Sequence, residues 1–418
     1  MVHRLATGVV CMSLEVAADE LPLEPLPYHK ALVNHLASRE SELWTWFAAD
    51  RLREQHNEAV RLELLKATYR IERDANPSLY TALDEVAKTL GLEVPTTFYQ
   101  SPGTPGSSGL NASLAYMPGE SHIVFTGPLL NTLTPTELRC VLGHELMHFA
   151  LLDRWRDYLV ATQLLAAMSN DQQAQPAHLA SARLLQLYTE VYCDRGAYKA
   201  TGDLAAAITA LVKIETGTTD VTANSYLRQT NEIFAKGHPR TEGITHPETF
   251  IRARALQLWT ENPQSAAREI TQVIEGPTTL EDLDLLGQQR VSAITRRLIA
   301  HFLHPAWLQT EPQLAHARLF FDDFKPATHP DESLSRDIAN LTAKLHDYYC
   351  YILLDFATAD RELEEAPLAA ALLLADELDL GERFRQLAMK ELNLRKKQLD
   401  TLSSDARSIV AKAQEAES

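Results

Sequence analysis

The sequence predicts a mainly α-helical protein with one small β-sheet and a C-terminal helical bundle. Three observations point there. Apolar residues recur with helical spacing over most of the 418 residues. β-branched and alternating residues concentrate in one stretch, 94–127. After Pro-interrupted joints, a compact helical pattern returns from about 336 to 400.

Taken in order, residues 24–75 read as one or two amphipathic helices rich in Glu, Arg and Leu, and "NPSLYTALDEVAKTLGL" begins another, closed by Gly91. "VPTTFYQ", "NASLAYM" and "SHIVFTG" read as short strands around the loop "SPGTPGSSG". The chain is then helical to about 275, broken at "THPETF"; between 276 and 335 helices alternate with Pro-containing joints.

The hydrophobic content of 45% over 418 residues supports more than one core. A net charge of −17 argues against nucleic acid as a partner, because phosphate binding calls for a basic surface. Cys11, Cys140, Cys193 and Cys350 form no C-x-x-C pair, which fits a reducing compartment and gives no cysteine metal site. No apolar run is long enough to span a bilayer, so no integral membrane span is expected. A cytoplasmic location is expected; the first twenty residues faintly resemble a secretion signal, but Glu15 interrupts the apolar segment.

The chemistry concentrates in "TPTELRCVLGHELMHFALLDRW", residues 134–155. Thr134 and Glu137 form a capping box and Pro135 suits a first helical position. On that helix His144 and His148 share one face and can present imidazole nitrogens to one ion. Glu145 falls beside the ion, where it can take a proton from activated water. Two helical histidines can equally be ordinary surface or core residues. Leu151 and Arg154 stand where a longer metzincin pattern needs Gly and His, which excludes that subclass. A third ligand is needed, and "YTEVYCDRGAYKA" offers Glu190, with Asp194 placed to orient an imidazole. Alone, that pair also reads as exposed helix charges.

Together, His144-Glu145-x-x-His148 followed by Glu190-x-x-x-Asp194 resembles the HtpX-type zinc metallopeptidases, peptidase family M48, which includes the prenyl-protein proteases. The resemblance implies a gluzincin core holding one zinc per chain through His144, His148 and Glu190, with Asp194 behind them. It further implies that "THPETFIRARAL" places His246 and Arg252 near the metal, to stabilise an oxyanion or hold the acidic network. His246 could instead fill the fourth zinc position in a resting state, and His238 reads as loop. The segment "NASLAYM" resembles the family's edge strand, so Asn111, Ala112, Ser113, Leu114 and Ala115 are expected to pair with an extended peptide; Ser113 stands where the family usually has an aromatic residue.

Residues 345–392 resemble a TerB-type helical domain, with Arg361 where that family has Gly. Asp360, Glu362, Glu364 and Glu365 then read as solvated helix-terminal acids rather than a metal site. Lys390, Arg395, Lys396 and Lys397 read as a solvated basic face. The expected organisation is an N-terminal helical arm (1–75), a metallopeptidase domain (76–275), a helical connecting region (276–335) and a TerB-like domain (336–418) that could bind a regulatory protein partner. The function implied is a zinc endopeptidase acting on unfolded or extended protein segments, open to autoinhibition by the extra helices. The alternative is a non-hydrolytic zinc-containing chaperone or adaptor, against which the intact Glu145 speaks.

Overall fold

The computed structural model describes residues 21–49, 53–102, 109–237, 248–263, 265–276 and 278–417. Cys11, His238 and His246 lie outside them, as do the first twenty residues and most of the "SPGTPGSSG" loop. The chain divides into two compact units, Met1–Gly276 and Pro277–Ser418.

The first unit begins with α1 (Pro27–Arg39), α2 (Ser41–Ala48) and α3 (Arg53–Ala67), followed by β1 (Tyr69–Ile71). The sequence pattern suggested only helix here. A three-residue strand is too short to display alternation, and β1 exists because its backbone pairs antiparallel with the next strand. Then come α4 (Pro77–Leu90), β2 (Thr96–Ser101), β3 (Asn111–Met117), β4 (Glu120–Thr126) and the short α5 (Leu129–Thr132). Asn76 caps α4 by accepting from the Leu79 N–H, and Gly91 ends it at φ 68°, where only glycine is comfortable.

The sheet order is β1-β2-β4-β3, with β2 and β4 parallel and β3 antiparallel to β4, so β3 is an edge among the described strands. A tight Pro118–Gly119 turn closes the β3–β4 hairpin, with Gly119 at φ 75°. Phe98 of β2 stacks on Phe125 of β4, both fully buried against the helices.

The rest of the unit is helical: α6 (Pro135–Arg154), α7 (Arg156–Asn170), α8 (Pro176–Thr201), α9 (Leu204–Thr216), α10 (Ala223–Ala235), α11 (Thr249–Glu261) and α12 (Ala267–Glu275). The α6 capping box forms as its sequence dictates, the Thr134 N–H donating to Glu137 Oε2 and the Glu137 N–H to Thr134 Oγ1. Leu142, Leu146 and Leu151 of α6 are wholly buried, and burial of each such side chain contributes about 1.5–3 kcal/mol.

Helices α6 and α8 are the central pair. They approach closely because glycines meet at the crossing. A Cβ on Gly143 would lie 2.8 Å from Ala200 Cβ and 3.0 Å from the Gly196 carbonyl, and one on Gly196 would collide with Met147. A buried ion pair, Lys213 Nζ to Glu137 Oε2 at 2.8 Å, ties α9 to the start of α6. At the other end, Asp153 accepts the Gly119 N–H at 2.8 Å and so fixes the hairpin to α6.

The second unit comprises α13 (Leu285–Phe302), α14 (Glu311–Phe320), α15 (Leu334–Ala339), α16 (Ala343–Thr358), α17 (Ala366–Glu377), α18 (Gly381–Glu391) and α19 (Lys396–Glu417). Leu298, Phe302, Leu353, Phe356, Leu372 and Phe384 build its own core. Asp360 turns inward as a cap, accepting the Glu362 N–H at 2.9 Å and the Thr310 hydroxyl at 2.6 Å, while Glu362, Glu364 and Glu365 face solvent. A cleft of about 810 Å³ in this unit is charged, and its Asp347 and Asp376 are paired with Arg383 and Arg385. Among the described residues of both units, no helix is long and apolar enough to cross a membrane. Mainly α with a small sheet is therefore the architecture observed, as the periodicities predicted.

Candidate metal centre

The crossing of α6 and α8 brings together residues 46 positions apart in sequence, His144 and Glu190. His144 Nε2 and His148 Nε2 face each other at 3.1 Å. Glu190 completes the triangle, with Oε2 3.3 Å from His144 Nε2 and Oε1 3.4 Å from His148 Nε2. A tetrahedral zinc with bonds of about 2.0–2.1 Å places its ligand atoms about 3.3 Å apart, so this donor set fits the ion in chemistry and spacing.

Behind it lies a charged layer. His144 Nδ1 donates to Asp194 Oδ1 at 3.0 Å, the contact that would keep the ring proton on Nδ1 and free Nε2 for a metal ion at the triangle. Arg252, one turn into α11, grips Asp194 with Nε at 2.8 Å and Nη2 at 2.7 Å, and reaches Glu190 Oε2 with Nη1 at 2.9 Å. Its guanidinium is thus committed to holding the two carboxylates.

The electrostatics call for a cation at the triangle. Burial opposes charge on His144, but Asp194 and Glu190 outweigh it and raise its pKa to about 10. Burial likewise pushes against ionisation of Glu190 and Asp194, and Arg252 with the imidazoles holds both below the usual carboxylate range, Glu190 well below. A cation held between the imidazoles would take the place of the proton that Asp194 and Glu190 favour on His144.

Glu145 is 5% exposed, and burial raises its carboxyl above the ordinary range against the pull of the two histidines. It lines a cleft of about 710 Å³ whose rim carries Asn111, Ala112, Ser113 and Leu114 of the edge strand; Ala115 is not among the lining residues. Thus His144, His148, Glu190, Asp194, Arg252 and Glu145 converge, while His246 and His238 lie outside the described residues.

Cys193 was not anticipated. Its Sγ lies with the two imidazole nitrogens in a group whose donor atoms are within 4.8 Å of one another. Its place on the same helix face as Glu190, three residues on, was the available signal. Burial first, then Glu190, Asp194 and Glu145, push the thiol well above its usual range, which favours the neutral, poorly ligating form. Glu190, whose two carboxylate oxygens lie 3.3 and 3.4 Å from the imidazole nitrogens, offers the third donor of the triangle.

Residues 74–260 match the profile of Peptidase family M48, a segment running from just before α4 nearly to the end of α11 and containing every residue of the centre. No curated protein matches the chain. The match supports the class that the site itself suggests, a zinc-dependent metallopeptidase, for this segment of the first unit.

Proposed function

We propose that the chain is a zinc endopeptidase acting on unfolded or extended protein segments. The observation that carries it is the triangle of donor atoms at 3.1–3.4 Å, with Glu145 buried beside it at a cleft bordered by an edge strand. His144, His148 and Glu190 would hold one ion per chain. When bound, zinc supplies a Lewis acid for the scissile carbonyl and lowers the pKa of the attacking water.

Glu145 takes the proton from that water on its carboxylate and returns it to the departing amide nitrogen, a role its raised pKa suits. Asp194 fixes the His144 tautomer, and Arg252 keeps the Asp194 and Glu190 carboxylates ionised and in place. The open backbone of β3 at Asn111–Leu114 pairs with extended substrate chain, a mode giving affinity with little sequence preference.

The test is cleavage of unfolded casein by the zinc-loaded chain beside Glu145→Gln, read by mass spectrometry. Wild type should cleave, and the variant should retain zinc while losing about 10²–10⁴-fold in rate. Equal cleavage by both would remove Glu145 from the reaction; no cleavage by zinc-loaded wild type would favour the non-hydrolytic alternative.

A further inference from the structure

The turn of α8 that presents Glu190 is gripped by chain lying outside the family-matched segment. Tyr192 OH donates to the Leu23 carbonyl at 2.9 Å, and Lys199 Nζ to the Pro22 carbonyl at 2.8 Å. Tyr28 stacks flat on Tyr188, with ring centroids 4.4 Å apart and planes 5° from parallel. His29 Nε2 lies 3.4 Å from Thr189 Oγ1, and its ring meets Tyr158, Tyr188 and Tyr192 edge-on. The neighbours of Glu190 at −2, −1 and +2 are thus all engaged by residues 22–29. Leu26, Tyr28, His29, Leu32 and Leu36 of this segment are buried, whereas the family match begins only at residue 74.

We infer that Pro22–Leu36 is a clamp that sets the rotation of α8, and through it the place of Glu190 in the metal centre, with Tyr28 as its chief positioning residue. The inference rests on Glu190 being a ligand. Between Leu187 and Asp194 every residue of α8 except Glu190 is buried, so contacts on every side of this turn, those from Pro22–Leu36 included, bear on its rotation. A rotation of about 15° moves a carboxylate roughly 6 Å from the helix axis by about 1.5 Å. Metal–ligand distances tolerate only about 0.2 Å. Stacking Tyr28 on Tyr188, two residues before the ligand, opposes such a rotation from the side away from Arg252's carboxylate contacts.

The clamp is tested in the full chain by chelator-driven zinc release and by the visible spectrum of the cobalt-substituted protein. Tyr28→Ala should release zinc about ten- to a hundredfold faster than wild type, the cost typical of losing a supporting contact, with an altered cobalt spectrum. Tyr28→Phe, which keeps the stacked ring, should release zinc more slowly than Tyr28→Ala. Ile123→Ala, a control that lowers stability from within the sheet core, should match the wild-type release rate. Should Tyr28→Ala not fold, Tyr192→Phe deletes only the hydroxyl that reaches Leu23 and should still speed release. Wild-type release rates in both Tyr28→Ala and Tyr192→Phe, or release by Ile123→Ala as fast as by Tyr28→Ala, would overturn the clamp. Wild type that takes up no zinc, or Glu190→Ala that holds it as tightly, would instead overturn the metal reading and the clamp with it.

Discussion

Single side chains in this site act through their neighbours. Asp194 is almost wholly buried and serves His144 and Arg252 at once. Asp194→Asn keeps the shape but removes the charge that favours the correct His144 tautomer, so zinc affinity should fall about 10–100-fold; competition with a chromogenic chelator measures it, and an unchanged affinity would assign Asp194 to fold maintenance alone. His29 shows the opposite electrostatics. Burial, reinforced by Arg195, lowers its pKa to about 3 from an ordinary 6.5, and Tyr158, Tyr188, Tyr192 and Thr189 surround it without a counter-charge. The unfolded chain then binds a proton that the folded chain refuses, so stability falls as pH drops below about 6.5 and continues to fall toward about 3. Between pH 7 and 5 this one group costs about 2 kcal/mol. Urea unfolding at both pH values should show His29→Gln losing less stability on acidification than wild type; equal losses would mean the imidazole gains a proton without leaving its site.

At the scale of elements, the metal spacing depends on how closely α6 and α8 cross. Gly143→Ala puts a methyl 2.8 Å from Ala200 Cβ and 3.0 Å from a backbone carbonyl, next to His144. The helices must separate, at about 1–3 kcal/mol, and zinc affinity should fall with the urea midpoint. A lowered midpoint with intact affinity would show that the crossing does not set the ligand distances. Much of each element was legible beforehand. The Thr134–Glu137 box and Gly91 are local signals, decided by backbone groups within a few residues. β1 was not legible, because pairing with β2 makes it a strand and its three residues carry no pattern of their own.

The whole molecule has two compact units, of which only the first holds the candidate centre. An ion that binds the folded state alone stabilises it by an amount set by its concentration relative to Kd. Calorimetry with and without chelator should therefore shift the melting of the first unit by several degrees and leave that of the helical second unit in place. A shift of both transitions together would mean that the units unfold as one.

By itself the sequence determined the fold class and the local geometry of the site. A 3.6-residue period places His144 and His148 on one face and sets Glu190 and Asp194 on another, since such relations need only the helix. Tertiary structure decided what lies more than a few residues apart: the glycine crossing that brings Glu190 to 3.3 Å from His144, the arrival of Arg252 from α11 behind both carboxylates, the nearness of Cys193, and the grip of Pro22–Leu36 on α8. Those contacts come from packing surfaces that are separate in the chain, and no spacing rule within a single helix encodes which surfaces meet.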